Sequence, residues 1–600
     1  MGEKSIGDAY GSYLDIFQYI YDSKLNNHLF IADIKKIRDR MRNFGGKFKM
    51  EQIGNTYYQA AYELFEKQQY EEAVENFIKA YECGVQKDEI LENLYACFVA
   101  PNEAEFRKNY EENSKGNLDV PYEELEIDFI PVSDSKFYLF HRISKVFLGS
   151  FQLDEEPIMT DDVEFESILV ADCWDFRKML PTMKEKTWSI VYILLNEQEA
   201  RFASFLKLPR FRELYMKNVI VFENTDIMKD VFEQYPDFYL PKHILSVESD
   251  YDAIFAEIHK KRIEDLSQER KNVFLSILIP SYNRGHRALS AVKEICRSTY
   301  DSEIEIVVSD NGSTSYVEEY QAIRDMKDAR VRYHQYEKNM GLLENVVKVL
   351  ELAQGKYAVL SSDEDMMLID NLPHYMNVFQ KNKDCGVFHT SGMYGNFGLI
   401  KEETVKSFGV MALKMGINGN YITGIGYNMQ LARQLKLTEF IRKHMDNIMV
   451  EFYPHCVMSF NLALVSGVLQ CGQPPLWLAM EAEDVDEASA GKIKSYMTID
   501  SRERQYVDTV KLYIEAGIRG RVLGALYMER CCKFLMLLHI ANVSFPAYYE
   551  ERLITWKDML EDALERCKKN LMLVENYVSA EERKQLVESI DNLYLEFKNK

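Results

Sequence analysis

An α/β fold flanked by helical segments is predicted for this 600-residue chain by three observations. Apolar runs of strand length alternate with stretches of helical spacing from Val273 onward. A second alternating segment occupies 125–265. Residues 1–120 and 500–600 show helical spacing alone. A chain of this length exceeds one hydrophobic core, so three or four domains are expected. The expected boundaries are 1–120 helical, 125–265 small α/β, 272–495 main α/β and 500–600 helical.

The main segment opens with Val273-Phe274-Leu275-Ser276-Ile277-Leu278-Ile279, an almost unbroken apolar run stopped by Pro280. Such a run suits a strand buried on both faces. Residues 281–285 follow as a loop. Leu289, Val292, Ile295 and Cys296 then give helical spacing over 288–297. Residues 304–308 form the second strand, ending at Ser309-Asp310-Asn311-Gly312, where Asn-Gly marks a tight turn. Residues 316–326 read as helix and 331–334 as a third strand. Asn339-Met340-Gly341 turns the chain into a helix with Leu343, Val346, Val347 and Leu350 on one face, and Gly355 is its expected C-terminal cap. The fourth strand, 357–360, runs straight into Asp363-Glu364-Asp365.

Three carboxylates at a strand end repel one another unless a cation sits among them. Hard divalent ions with oxygen ligands, Mg²⁺ or Mn²⁺, suit such a cluster, with substrate phosphates completing the shell. Acids are also common in solvated turns; the alternation upstream favours a site. In open parallel sheets ligands bind at the carboxyl ends of the strands. Ser281, Tyr282, Asp310, Asn339 and the acidic triplet converge there. An aromatic ring, a carboxylate and a metal cluster fit a nucleoside diphosphate. Tyr282 would stack on the base, Asp310 would accept from a base N–H, and the metal would hold the pyrophosphate.

Ile-Pro-Ser-Tyr-Asn-Arg at 279–284, Val-Ser-Asp-Asn-Gly-Ser-Thr at 308–314, Asn-Met-Gly at 339–341 with Asn345, and Ser-Asp-Glu-Asp at 362–365 resemble the successive motifs of a family-2 glycosyltransferase. The resemblance implies a Rossmann-like GT-A fold and a nucleotide-sugar donor. It implies nucleotide contacts from Pro280, Tyr282 and Asp310, with Asn283 and Asn339 beside them. It also makes Asp363 and Asp365 the Asp-x-Asp metal pair and Glu364 its ordinary middle residue on the donor side. The family inverts the anomeric configuration, using an Asp or Glu base well downstream. Asp446 is the first choice for that base and Glu451 the second. Each also reads as an exposed helix-surface acid. Residues 421–428 resemble the glycine-bearing loop that faces donor sugar and acceptor, and 431–443 read as one helix. His455 reads as a core or surface histidine, or as a contact to the diphosphate or acceptor. Glu481, Glu483, Asp484, Asp486 and Glu487 read as a solvated loop.

Outside this domain the signals are weaker. Lys and Arg number 72 against 95 Asp and Glu, a net charge of −23, which argues against nucleic-acid binding. Ten cysteines are scattered without zinc spacing, as in reduced cytoplasmic protein. No apolar run approaches the ~20 residues that span a bilayer, and residues 1–10 contain no apolar signal core. A cytoplasmic location is expected, peripheral at the inner face of a membrane. Residues 61–80 resemble a tetratricopeptide repeat, with small Ala61, Ala73 and Ala80 and a seam of Leu64, Phe65, Tyr70 and Phe77. A docking surface for a protein partner and a plain helical hairpin fit it equally. In 125–265 the strands 137–140, 167–171, 188–195 and 219–222 predict a small parallel sheet without a phosphate loop. Asp172, Asp175 and Asn196 fall near strand ends. Residues 260–271 read as a linker. At the C-terminus, 522–540, 549–569 and 579–597 read as helices. Residues 535–539 fit a core helix or an interfacial membrane face, and the last two helices fit dimerisation or the holding of a partner.

The expected function is inverting, metal-dependent transfer of a sugar from a nucleotide-diphosphate sugar. The acceptor hydroxyl would belong to a glycan, lipid-linked or protein acceptor in surface polysaccharide or glycoconjugate synthesis. The alternative is an interaction scaffold with a degenerate transferase domain. A nucleotidyltransferase would carry a Gly-rich, Arg/Lys-bearing phosphate loop after the first strand, which Ser-Tyr-Asn-Arg-Gly does not match.

Overall fold

The computed structural model describes residues 46–598, except 116–117, 119, 154–165, 172–178, 181–182, 185–189, 247–249, 266–271, 395–402, 419–420 and 481–494. Asp172, Asp175 and the 481–487 acidic run lie outside the described residues. The chain divides into two compact units. The first comprises Met1–Met159, Ile168–Met228 and Ile244–Ser249. The second comprises Thr160–Ser167, Lys229–His243 and Asp250–Lys600.

The first unit begins with helices Gly46–Glu66 and Tyr70–Glu82, joined by a short link. Ala61, Ala73 and Ala80 are fully buried between them, as small seam residues should be. Tyr70, expected in that seam, is largely exposed and reaches Phe65 and Phe98 edge-on. Residue 137–140 pairing also departs from expectation. Lys136–His141 lies between Ile127–Pro131 and Val146–Gln152 in an antiparallel meander, outside any parallel sheet. The flanking runs are short and interrupted, so each was hidden in the sequence. The parallel pairs Ile168–Ala171, Val191–Leu194 and Val219–Phe222 do form. Asn196 follows the middle strand with a positive φ of 41°.

In the second unit we number the strands β1 (Leu275–Ser281), β2 (Ile304–Asp310), β3 (Val331–Gln335), β4 (Tyr357–Leu360), β5 (Asp365–Met367), β6 (Cys385–His389), β7 (Gly392–Tyr394), β8 (Val405–Ser407), β9 (Ile425–Asn428), β10 (Gly467–Gln470) and β11 (Trp477–Ala479). Eight of them form one sheet in the order β3-β2-β1-β4-β9-β6-β10-β8. β1 to β4 are mutually parallel. Every residue of β1, β2 and β4 is buried, which explains their continuous apolar runs. β9 runs antiparallel between β4 and β6. β5, β11 and β7 make a small second sheet. Helices α1 (Gly285–Cys296), α2 (Val317–Arg324) and α3 (Leu342–Leu352) supply the crossovers between the first four strands.

Four local expectations are corrected. Pro280 does not end β1; the strand continues to Ser281, in register with β2 to the end. Pairing with β4 stops at Leu278, so the ladder beyond it is one-sided and tolerates a residue without an N–H. Gly355 is not the cap of α3, a position held by Ala353 in extended conformation. A side chain at Gly355 would press on the Ser276 backbone nitrogen at 2.7 Å, so glycine serves close approach there. Residues 425–428, expected within a loop, are β9. The stretch 431–443 is two helices, Met429–Gln434 and Leu437–Lys443, split at Lys436 with a φ of 51°.

The C-terminal helices Ile499–Glu515, Gly520–Ser544, Pro546–Glu550, Trp556–Asn570 and Ala580–Phe597 share one apolar core with α3, Pro454–Ala463 and the sheet. Capping boxes at Thr555/Asp558 and Ser579/Glu582 start the last two long helices. The first of these caps moves the expected helix start from 549 to 556. Leu535 and Leu538 are fully buried, so the core reading of 535–539 holds for them. Among the described residues no helix is long and apolar enough to cross a membrane.

Candidate active site

The carboxyl ends of β1, β2 and β4 carry the polar residues anticipated there. Asp310 closes β2 and has no exposed surface. Its Oδ1 accepts from the Ser313 N–H at 2.9 Å, and its Oδ2 accepts from the Tyr333 hydroxyl at 2.9 Å and Gln335 Nε2 at 3.0 Å. Tyr333 and Gln335 alternate along β3, so both face Asp310 across the sheet edge. Burial and the nearby Asp310 charge push the Tyr333 hydroxyl well above the ordinary tyrosine range, keeping it a donor. A carboxylate offers about four lone-pair sites, so three donors leave Asp310 one acceptor position.

Two asparagines brace the loops around it. Asn283 sits at a φ of 56°, and its Oδ1 accepts from the N–H groups of Thr314 and Ser315. Asn339 accepts from Asn311 Nδ2 at 3.0 Å and from the Gly341 N–H at 2.8 Å. Asn345, at the start of α3, donates to the carbonyls of Ser281 and Ser309, tying β1 to β2. Pro280 is buried, while Tyr282 beside it is exposed.

The acidic triplet is built differently from a solvated turn. Asp363 and Asp365 are 4% and 2% exposed. Ser281 Oγ donates to Asp363 Oδ2 at 2.7 Å. The Tyr421 hydroxyl donates to Asp365 Oδ1 at 3.0 Å, and Thr423 Oγ1 donates to Asp365 Oδ2. Thr423 Oγ1 in turn accepts the Ser362 N–H at 2.8 Å. Glu364 is half-buried and pairs with Arg284 Nη2 at 2.6 Å; Arg284 Nη1 lies 3.6 Å from Asp363. Desolvation raises both aspartates above the ordinary range, Asp365 to about 6, against the lowering effect of its two hydroxyl partners.

This donor set fits a divalent cation. Two buried carboxylates separated by one residue supply hard oxygen ligands, and their raised proton affinity marks negative charge that the protein leaves under-compensated. Among the described residues no three or more His, Cys, Asp or Glu side chains are grouped so that they could hold a metal ion together. Asp363 and Asp365 are the two residues of the triplet that would hold such a cation.

Asp446 and Glu451 also belong to the second unit. Asp446 lines a groove of about 370 Å³ with His444, Asn447, Arg504, Asp508 and Lys511, against helix Ile499–Glu515. Neither Asp363 nor Asp365 lines that groove. Glu451 is exposed on the short helix Ile448–Phe452. His455 is buried, and its carbonyl accepts from the Tyr427 hydroxyl.

Sequence reading missed the roles of Arg284, Tyr333, Gln335, Tyr421 and Thr423 as partners of the acids. A period-two signal on β3 could have found Tyr333 and Gln335. Tyr421 and Thr423 reach Asp365 across 56 and 58 residues of chain, a contact without a local signal.

The fold and site define a mixed α/β domain with an oxygen-rich acidic centre at its sheet edge. Residues 276–454 match the family described as glycosyl transferase family 2. WcaA of Escherichia coli, named for glycosyl transfer in colanic acid biosynthesis, is 30% identical over 127 residues, 21% of this chain and 43% of WcaA. Glycosyltransferase GlyG of Streptococcus pneumoniae is 29% identical over 126 residues, 20% of this chain and 40% of GlyG. The chain thus spans less than half the length of these two relatives. The solved structure of S. aureus TarS in complex with UDP-GlcNAc aligns at 13% identity and a TM-score of 0.36, over 54% of this chain and 92% of that one.

Proposed function

We propose that this chain transfers a glycosyl group from a nucleoside diphosphate sugar to a hydroxyl acceptor, with inversion at the anomeric carbon. The observation that carries the reading is the convergence of Asp310, exposed Tyr282 and the buried Asp363–Asp365 pair on one sheet edge, within the segment that matches the family. On this reading Tyr282 stacks on the base, Asp310 accepts from it with its remaining lone pair, and Pro280, Asn283 and Asn339 shape the nucleotide pocket. Asp363 and Asp365 hold Mn²⁺ or Mg²⁺, which when bound offsets charge growing on the departing nucleoside diphosphate. Ser281, Tyr421 and Thr423 keep the two carboxylates in place through the hydrogen bonds described above. The acceptor hydroxyl gives its proton to a carboxylate within hydrogen-bond reach. Asp446 is our first choice for that base and Glu451 is our second.

The name of WcaA supports a surface polysaccharide or related glycoconjugate as the product. We place the enzyme in the cytoplasm at the inner membrane face, with the N-terminal helical hairpin as a docking surface for a protein partner. The alternative, a scaffold with a degenerate transferase domain, is disfavoured by the buried, hydroxyl-braced acids. A decayed site has no physical reason to retain such costly charges.

A panel of nucleotide sugars tested for Mn²⁺-dependent thermal stabilisation, then for turnover, decides between them. Stabilisation by one donor supports the transferase. No binding of any nucleoside diphosphate with Mn²⁺, together with an Asp365→Ala variant that behaves as the parent, leaves the scaffold reading.

A further inference from the structure

We propose that Gln335 holds the place of the nucleobase on Asp310, and that a donor whose base carries an N–H beside a C=O displaces it. This inference rests on the donor-site reading above. Asp310 has no exposed surface, so a base reaches its carboxylate only if a group lying against it withdraws. Three groups are hydrogen-bonded there: the Ser313 N–H, the Tyr333 hydroxyl and Gln335 Nε2. The first is backbone and the second belongs to a half-buried ring. Of the three, only Gln335 contributes an exposed side chain. Gln335 closes β3, the edge strand of the sheet, in register with Asp310 at the end of β2. The Tyr336 N–H donates to the Asp310 carbonyl at 2.9 Å, which fixes the backbone just beyond. The strand therefore stays in place while the Gln335 side chain is able to turn out into solvent.

The chemistry of the contact points to what replaces it. A carboxylate only accepts, so the amide nitrogen of Gln335, not its oxygen, faces Asp310 Oδ2 at 3.0 Å. The side chain thus presents an N–H next to a C=O. Uracil, thymine and guanine carry the same pair on their pairing edge, a ring N–H flanked by a carbonyl. Adenine has a bare ring nitrogen there, whose lone pair a carboxylate repels. A base of the first kind restores the hydrogen bond that Gln335 gives up, so the buried carboxylate never goes short of donors. Holding a long exposed side chain in one rotamer costs conformational entropy, so the amide is released at small cost. Gln335 keeps Asp310 paired when no nucleotide is bound, and it competes with the base for the same acceptor.

Calorimetry of the full chain tests this, with UDP, dTDP, GDP, ADP and pyrophosphate, each at saturating Mn²⁺, in the parent, Gln335→Ala and Gln335→Met. Methionine keeps the bulk of the side chain and lacks the N–H. We expect both variants to bind whichever of UDP, dTDP and GDP the parent prefers about fivefold more tightly than the parent does. Pyrophosphate, which has no base, should bind all three proteins alike, and ADP should bind the parent more weakly than the preferred nucleotide. A Gln335 that only braces Asp310 would give the opposite sign, weaker nucleotide binding on removal. Three results overturn the proposal: unchanged or weaker binding of the preferred nucleotide in either variant, an equal gain for pyrophosphate, or ADP binding as tight as that nucleotide. The donor-site reading stands in each case if the parent still binds UDP, dTDP or GDP with Mn²⁺. Absence of binding of all three by all three proteins overturns both.

Discussion

Replacing Asp365 with asparagine should stabilise the cation-free protein at neutral pH while removing its response to Mn²⁺. Burial raises this carboxyl from 3.8 to about 6. At 1.36 kcal/mol per tenfold change in proton affinity, that rise is worth about 3 kcal/mol. The sign follows from where the proton is held. Below about pH 4 the folded and unfolded chains are both protonated at this residue, and the native state carries no charge penalty. As pH climbs toward 6 the unfolded chain ionises first, and that advantage is lost. Above pH 6 the native state carries a buried charge at a cost approaching about 3 kcal/mol. Asparagine has no such charge but can accept from only one of Tyr421 and Thr423, forfeiting about 1–1.5 kcal/mol. The net gain at pH 7.5 should be about 1–2 kcal/mol, shrinking to zero or reversing near pH 4.5. Chemical denaturation at pH 4.5, 6 and 7.5, with and without Mn²⁺, measures both effects. If Asp365→Asn destabilises the cation-free protein equally at all three values, the charge is already compensated and the electrostatic case for a cation site collapses.

Other expectations follow from the same geometry. Thr423→Val removes the donor to Asp365 and the acceptor of the Ser362 N–H, and should cost about 1–3 kcal/mol in denaturant titrations, with weakened Mn²⁺ binding. Tyr333→Phe takes one of three donors from Asp310; nucleotide affinity measured by calorimetry should fall, and an unchanged value would show that Asp310 is remote from the base. Gly312→Ala forces a side chain into a φ of 69° with Lys338 backbone atoms 2.4 Å away, so a loss of more than about 2 kcal/mol is expected from equilibrium unfolding. Asp446→Asn and Glu451→Gln should be compared for turnover with donor binding intact; full activity in both would reject our base assignment.

The sheet that carries the site was legible because its strands are buried on both faces, and continuous apolar runs such as 275–279 leave little ambiguity. The positions of Asp310 and the triplet followed from strand ends alone. What stayed hidden depends on contacts distant in sequence. β9 is four residues long with a glycine in it, and its place between β4 and β6 comes from pairing with strands far away in the chain. Gly355 looked like a cap because glycine after a helix usually is one; the nearness of Ser276 could not be read from α3 itself. The bracing of Asp365 was missed for the same reason, since Tyr421 and Thr423 precede a strand whose register only the folded chain defines.

That register has an engineering consequence. The Gly424 N–H donates to the Leu360 carbonyl, and Tyr421 stacks face to face on buried Trp477 with centroids 4.7 Å apart. A Cβ at Gly424 would strike Trp477 Nε1 at 2.2 Å and Thr390 Oγ1 at 2.4 Å. The segment 421–424, the end of β4 and the indole of β11 therefore behave as one cassette. A loop exchange cannot transplant 421–424 alone; it must carry Trp477 and the strand around Asp365 with it, or the imported loop will drag the acidic centre out of alignment.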